Sequence, residues 1–276
     1  MRIRPRQGLA VLLFEVLAAS AVLAAAAGPQ TELIRRSRQY GGFRLDFELG
    51  GRKAFLVQPP HEPLDNSKPW VWYAPTVAGQ QPGVRQEWLF TELVAQGFAI
   101  AGIDVGGPSG AALAGEALGG FHALLTAKYR LSKKPCLLAS DWGALSLYAW
   151  AARHADQVRC IAGIRPLVNV ESDPRIAREI AQAYKLSAAD FHRRLPEHNP
   201  IDQLGALADH GVPILHLHGP GDTIVPVEPN SGELARRYRA LGGVIEVVGL
   251  TGEGPEVWRS ATLLDFFVSR GLAAAD

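Results

Sequence analysis

P-C-L-L-A-S-D-W-G-A-L-S-L-Y-A-W, residues 135–150, decides how this chain is read. Residues 135–140 form a short apolar run with the character of a buried strand, and 143–154 carry helical spacing. Between them lie two candidate nucleophiles, Ser140 and Asp141. A nucleophile on a sharp strand-to-helix turn needs small residues two before and two after it, because the two backbones pass close there. With Asp141 at the turn these are Ala139 and Gly143, and Ala144 follows. With Ser140 they are Leu138 and Trp142, and the indole would collide with the strand. The spacing selects Asp141. The competing reading is an ordinary helix cap, since Asp is a common N-cap.

The surrounding pattern supports a strand–turn–helix at this point. Two β-like runs, F-R-L-D-F-E-L and K-A-F-L-V-Q-P within 43–59, are joined across Gly50-Gly51, a hairpin signal. W-V-W-Y-A-P (70–75) reads as a buried strand, with Trp70, Trp72 and Tyr73 as core. Residues 85–96 have helical spacing, ended by Gly97. Strands are then expected at 98–105, 158–164, 212–219 and 244–249, and helices at 116–130, 231–241 and 258–271. Residues 165–210 are mixed, helical over 174–194 and broken by Pro196 and Pro200. Strands without clean alternation, taking turns with helices, predict an α/β domain: a mostly parallel sheet covered on both faces, with an N-terminal β-hairpin. Residues 165–210 are expected as a cap-like insertion over it. Ligands in such sheets bind beyond the C-terminal ends of the strands.

A chain of 276 residues with 47% hydrophobic content suits one large domain. The net charge of +1 and the lack of a long single-sign run give no nucleic-acid surface. Residues 1–27 differ in character. Arg2, Arg4 and Arg6 precede an apolar stretch that ends in small residues before Gly28 and Pro29. This pattern predicts an export signal cut near Ala27, leaving 28–276 as a periplasmic or secreted domain with no stable membrane span. The rival is an uncleaved anchor, because the stretch approaches the ~20 residues that span a bilayer. Its alanines and Glu15 favour cleavage. Cys136 and Cys160 each sit in an apolar run and read as buried thiols, not a disulfide framework. The loop G-G-P-S-G (106–110) completes no phosphate motif and reads as a turn; no cofactor and no metal are expected.

The chain resembles the α/β-hydrolases over 40–272. The piece L-S-K-K-P-C-L-L-A-S-D-W-G-A-L is similar to exported bacterial members whose elbow reads G-x-S-R-G-G-L. On that register Asp141 stands where the resemblance implies a serine. H-L-H-G-P-G-D-T-I-V-P resembles the segment that carries the catalytic acid, which implies that role for Asp222. The last loop, which in the family delivers the histidine, here reads T-G-E-G-P-E-V-W, with Pro255 or Glu256 at the expected position. Asp141-Trp142-Gly143 also resembles the D-W-G elbow of haloalkane dehalogenases and epoxide hydrolases, which attack carbon with an aspartate. The strand at 70–75 is followed by P-T-V-A-G in place of the H-G pair of dehalogenases. The Thr76 and Val77 backbone, with the Trp142 amide, is expected to form an oxyanion hole.

None of the eight histidines follows Asp222. A carboxylate attacks without a base, but the ester it forms must be hydrolysed by an activated water. The base would have to come from Glu253, Glu256, or His192 or His198 of the insertion. His218, at a strand end before a glycine, reads as support for the loop. Two functional expectations follow. One is an exported hydrolase-fold protein with a degenerate triad that binds a small molecule or a partner. The other is a working hydrolase of ester, carbon–halogen or epoxide bonds with Asp141 as nucleophile. An acyl transferase would need the same base. Asp141, Asp222 and Glu253 or Glu256 meeting at one mouth would instead form an acid/base pair or hold a hard cation.

Overall fold

The structure, a computed structural model, describes residues 31–61, 68–74, 79, 81–107, 114–219, 224–250 and 254–272. Residues 1–27, read above as an export signal, lie outside the described residues. Nine strands form one sheet: β1 Thr31–Gln39, β2 Gly42–Leu49, β3 Arg52–Gln58, β4 Trp70–Ala74, β5 Ala99–Ile103, β6 Cys136–Ser140, β7 Cys160–Ile164, β8 Ile214–His218 and β9 Ile245–Gly249. Their order is β1-β2-β3-β5-β4-β6-β7-β8-β9. The first three strands join antiparallel, and β5, β4, β6, β7, β8 and β9 run parallel. β4 has β5 on one side and β6 on the other, so the winding reverses there. That is the switch point where open α/β sheets form their ligand crevice.

The helices cover both faces, as the strand composition predicts. Helices α1 (Glu87–Ala95) and α8 (Ala261–Gly271) bury Leu89, Phe90, Leu93, Leu263 and Phe267 against one face. Helices α2 (Gly115–Lys128), α3 (Gly143–Arg153), α4 (Pro174–Ala183), α5 (Ala188–Arg193), α6 (Gly205–Asp209) and α7 (Glu233–Ala240) lie on the other. Trp70 and Trp72 alternate with Val71 and Tyr73 along β4, so the tryptophans meet Phe121 and Trp150 while Tyr73 faces Phe90. Cys136 and Cys160 are in-register neighbours on β6 and β7, both buried with free thiols.

Three local departures have physical causes. β1 was not expected, because T-E-L-I-R-R-S-R-Q has no buried face and pairs only with β2. The 174–194 helix is two, each with its own cap: the Asp173 side chain accepts from the Arg175 amide, and that of Ser187 from the Asp190 amide. The last helix starts at Ala261, where Ser260 caps it, and a 3₁₀ turn, Gly254–Arg259, precedes it.

A polar chain crosses the interior between α3, β8 and the turn before α7. The Tyr148 hydroxyl lies 2.6 Å from His216 Nε2, His216 Nδ1 lies 2.7 Å from Ser231 Oγ, and His218 Nε2 lies 2.7 Å from the same oxygen. A continuous proton order runs through all three in either direction, from Tyr148 to His216 to Ser231 to His218 or the reverse, according to the imidazole tautomers. Burial, and secondarily the charge of His218, lowers the His216 pKa to about 3. His216 also explains Gly163, since a Cβ there would sit 2.6 Å from the imidazole and from the Pro166 ring.

Gly163→Ala is therefore expected to cost about 1–3 kcal/mol of stability, read as a lower urea midpoint. The His216 pKa in the fold lies below the unfolded value of 6.5, so between those values the unfolded chain binds the extra proton. Stability should fall as pH drops through that window, with a slope of up to about 1.4 kcal/mol per pH unit from this group. Urea titrations across pH should show that slope reduced in His216→Gln; an unchanged slope would assign the acid sensitivity elsewhere.

Candidate functional site

Strand register builds the site. Ser140 pairs with Ile164 at the ends of β6 and β7. The next residues, Asp141 and Arg165, stand one rung further on, at the C-terminal mouth of adjacent strands. The Asp141 amide donates to the Ile164 carbonyl at 3.1 Å, and the Arg165 amide to that of Leu217 at 2.9 Å. Both residues are left-handed, each with φ of +46°. That conformation is uncommon outside glycine and costs roughly 1–3 kcal/mol unless the surroundings impose it. Here the turn is clamped, because the Leu167 amide donates to the Asp141 carbonyl at 2.9 Å. Asp141 is thus the residue on the strand-to-helix turn, between the strand end Ser140 and the helix start Gly143. Ala139 and Ala144 are fully buried beside it, as the tight packing of the turn requires.

The Arg165 guanidinium approaches the Asp141 carboxylate to 3.0 Å. The Ser140 hydroxyl donates to the other carboxylate oxygen at 3.1 Å. The carboxylate side chain is 10% exposed and the guanidinium 26%. The pair lies in a cavity of about 460 Å³ whose lining also includes Tyr73, Gln86, Trp142 and Trp258. The Tyr73 phenol is held protonated, pushed up first by burial and then by the Asp141 charge. Gln86 Nε2 donates to its oxygen at 3.4 Å while Gln86 Oε1 accepts from the Gly83 amide. The neighbouring wall is held from below. Arg44, nearly buried on β2, donates to Asp46 at 2.6 Å and to Gln81 Oε1 at 2.8 Å, and also reaches Gln39.

All eight histidines are described, and none lines the cavity. His192 sits on the surface 3.6 Å from Glu171, its side chain 78% exposed. His198 stacks against Tyr184 and Phe191 within the 165–210 segment, where burial lowers its pKa. The structure brings neither to Asp141. His122 and His154 pack on Trp150, His216 and His218 belong to the interior chain, and His61 and His210 are exposed. Of the 165–210 segment, Arg165 alone appears in the described lining, so those helices shape little of this cavity. Asp222, Thr76, Val77 and Glu253 lie outside the described residues. Glu256 falls in the Gly254–Arg259 turn, with its side chain outside the description.

Arg165 was missed because it opens a stretch read as insertion. A strand-end position beside the elbow was the available signal. Trp258 and Gln86 gave no signal, since both are far from the elbow in sequence.

No family model matches the sequence, and no curated protein matches it. Solved structures match its shape. An S-formylglutathione hydrolase from Agrobacterium tumefaciens superposes with a TM-score of 0.67 at 14% identity, over 87% of this chain and 99% of the other. MPT51 of Mycobacterium tuberculosis gives 0.62 at 15%, over 88% and 99%. An acylaminoacyl peptidase from Pyrococcus horikoshii gives 0.60 at 10%, over 93% of this chain and 44% of that one. The chain has the α/β-hydrolase fold.

Removing Arg165 strands a nearly buried carboxylate, whereas removing the Asp141 charge leaves a guanidinium that water still reaches. Arg165→Gln should therefore destabilise more than Asp141→Asn, and Asn tolerates the left-handed turn. The two with their double variant should show a coupling of about 0.5–3 kcal/mol in urea unfolding. Additive effects would mean that the pair contributes no coupling.

Proposed function

We propose that this chain is an exported α/β-hydrolase-fold protein that binds a small molecule at the elbow cavity without turning it over. The observation that carries this reading is the Asp141–Arg165 pair at 3.0 Å, in a cavity whose described lining holds no imidazole. A carboxylate engaged by a guanidinium has its lone pairs stabilised and attacks carbon poorly. An ester formed on it would also persist, because no histidine stands near to activate water; loss of a triad histidine in a serine hydrolase costs about 10⁶-fold in kcat. No helix among the described residues is long and apolar enough to cross a membrane.

One observation favours a second reading. The strained turn that presents Asp141, with φ of +46°, is the geometry that exposes a nucleophile. On that reading Asp141 attacks an ester, haloalkane or epoxide, Asp222 orients the base, and Glu253 or Glu256 activates the water.

Intact-protein mass after incubation with activated esters, haloalkanes and epoxides, beside an Asp141→Ala control, separates the two. Neither adduct nor product is the expected result. Product formed catalytically, and lost in the control, would sink the binding reading. A stable adduct on Asp141 alone would mark a live nucleophile without its base.

A further inference from the structure

The geometry points to an organic monocarboxylate with an apolar body as the ligand of this cavity, its acid group received by Arg165 and Arg85; this rests on the binding reading above. Charge is the first support. The described lining carries two guanidinium groups and one carboxylate. Trp142, the N-cap of α3, lines the same space, so the helix adds its partial positive charge there. A cationic ligand would have to share Asp141 with a guanidinium already 3.0 Å away. A carboxylate matches the planar guanidinium fork, where it must compete with Asp141, which approaches through Nη2. Asp141 then acts as the counter-ion that keeps Arg165 in place and as the competitor that an incoming acid must match.

The rim gives the second support, independent of charge. Val84 is 86% exposed and Ile224 62%, among the most exposed large apolar side chains of the described chain, and both line the mouth. Trp142 and Trp258 add apolar side chains to the lining. Arg165 is half-buried beside Asp141 while Arg85 stands exposed next to Val84, so guanidinium groups and apolar surface lie side by side in the site, a profile complementary to an acid that carries a hydrocarbon or aromatic body. The volume of about 460 Å³ admits such a molecule. An apolar rim has no use for a small inorganic anion.

The two tryptophans make binding visible as a change in intrinsic fluorescence, with calorimetry as the second readout. The probes are octanoate, decanoate, phenylacetate and indoleacetate, each compared with its own primary amide and with the amine of the same carbon skeleton. At least one acid should bind, and its amide should bind about tenfold or more weakly, as expected for loss of a charge-assisted contact. Arg165→Gln should abolish the preference for acid over amide, and Arg85→Gln should weaken acid binding and its salt dependence. Asp141→Asn should tighten acid binding, because it removes the competing carboxylate; a site that used Asp141 to hold a cation would lose affinity instead. Should Arg165→Gln fail to fold, the Arg85→Gln and Asp141→Asn comparisons still decide the matter. Amides or amines binding as well as acids, or no acid binding at all, overturns the proposal. Either outcome leaves the non-catalytic reading standing. Turnover of the methyl ester of a bound acid would instead defeat that reading and make the acid a product.

Discussion

The pairing of Ser140 with Ile164 is the constraint from which the rest of the site follows. Parallel strands in register carry their next residues side by side. Asp141 and Arg165 are those residues, and each continues the ladder by one amide bond before the chain turns away. A shift of one rung would send one of the two side chains elsewhere, and the ion pair would not form. Strand pairing sets an acid and a base 3.0 Å apart at the C-terminal ends of β6 and β7, one strand away from the switch at β4.

This placement bears on the function proposed for the turn. In a hydrolase the turn holds a nucleophile away from everything but its base and its substrate. Here the same turn holds a carboxylate against a guanidinium. Burying two opposite charges rarely adds net stability, because the desolvation cost offsets the attraction. Breaking the pair from one side is expensive all the same. The interaction therefore holds Arg165 in position more than it holds the fold together. The walls are fixed by a separate set of contacts: Arg44 beneath Gln81, Gln86 between Gly83 and Tyr73, and Trp258 edge-on to Tyr73.

The interior Tyr148–His216–Ser231–His218 chain shows where the histidines near the site went. Alternation along β8 sends both imidazoles to the α3 face, into space walled by Tyr148 and Ser231. His216 has no exposure and its proton affinity collapses, so it serves packing and hydrogen bonding. The sequence shows that no histidine follows Asp222 and that His192 and His198 sit in the insertion. It does not show that His192 stands exposed beside Glu171 and that His198 packs on the Tyr184 ring, neither of them in the lining of the cavity.

The sequence by itself determined the architecture and the strand-to-helix turn at Asp141. Hydrophobic runs alternating with amphipathic segments admit one layered sheet, and the small residues Ala139, Gly143 and Ala144 admit one residue at the turn. Those are local properties, encoded within a dozen neighbouring positions. Only the tertiary structure decided Asp141's partner and the cavity around it. Arg165, Tyr73, Gln86 and Trp258 come from four separate stretches of chain. Their meeting depends on strand order and register, which arise from long-range pairing that no local pattern records.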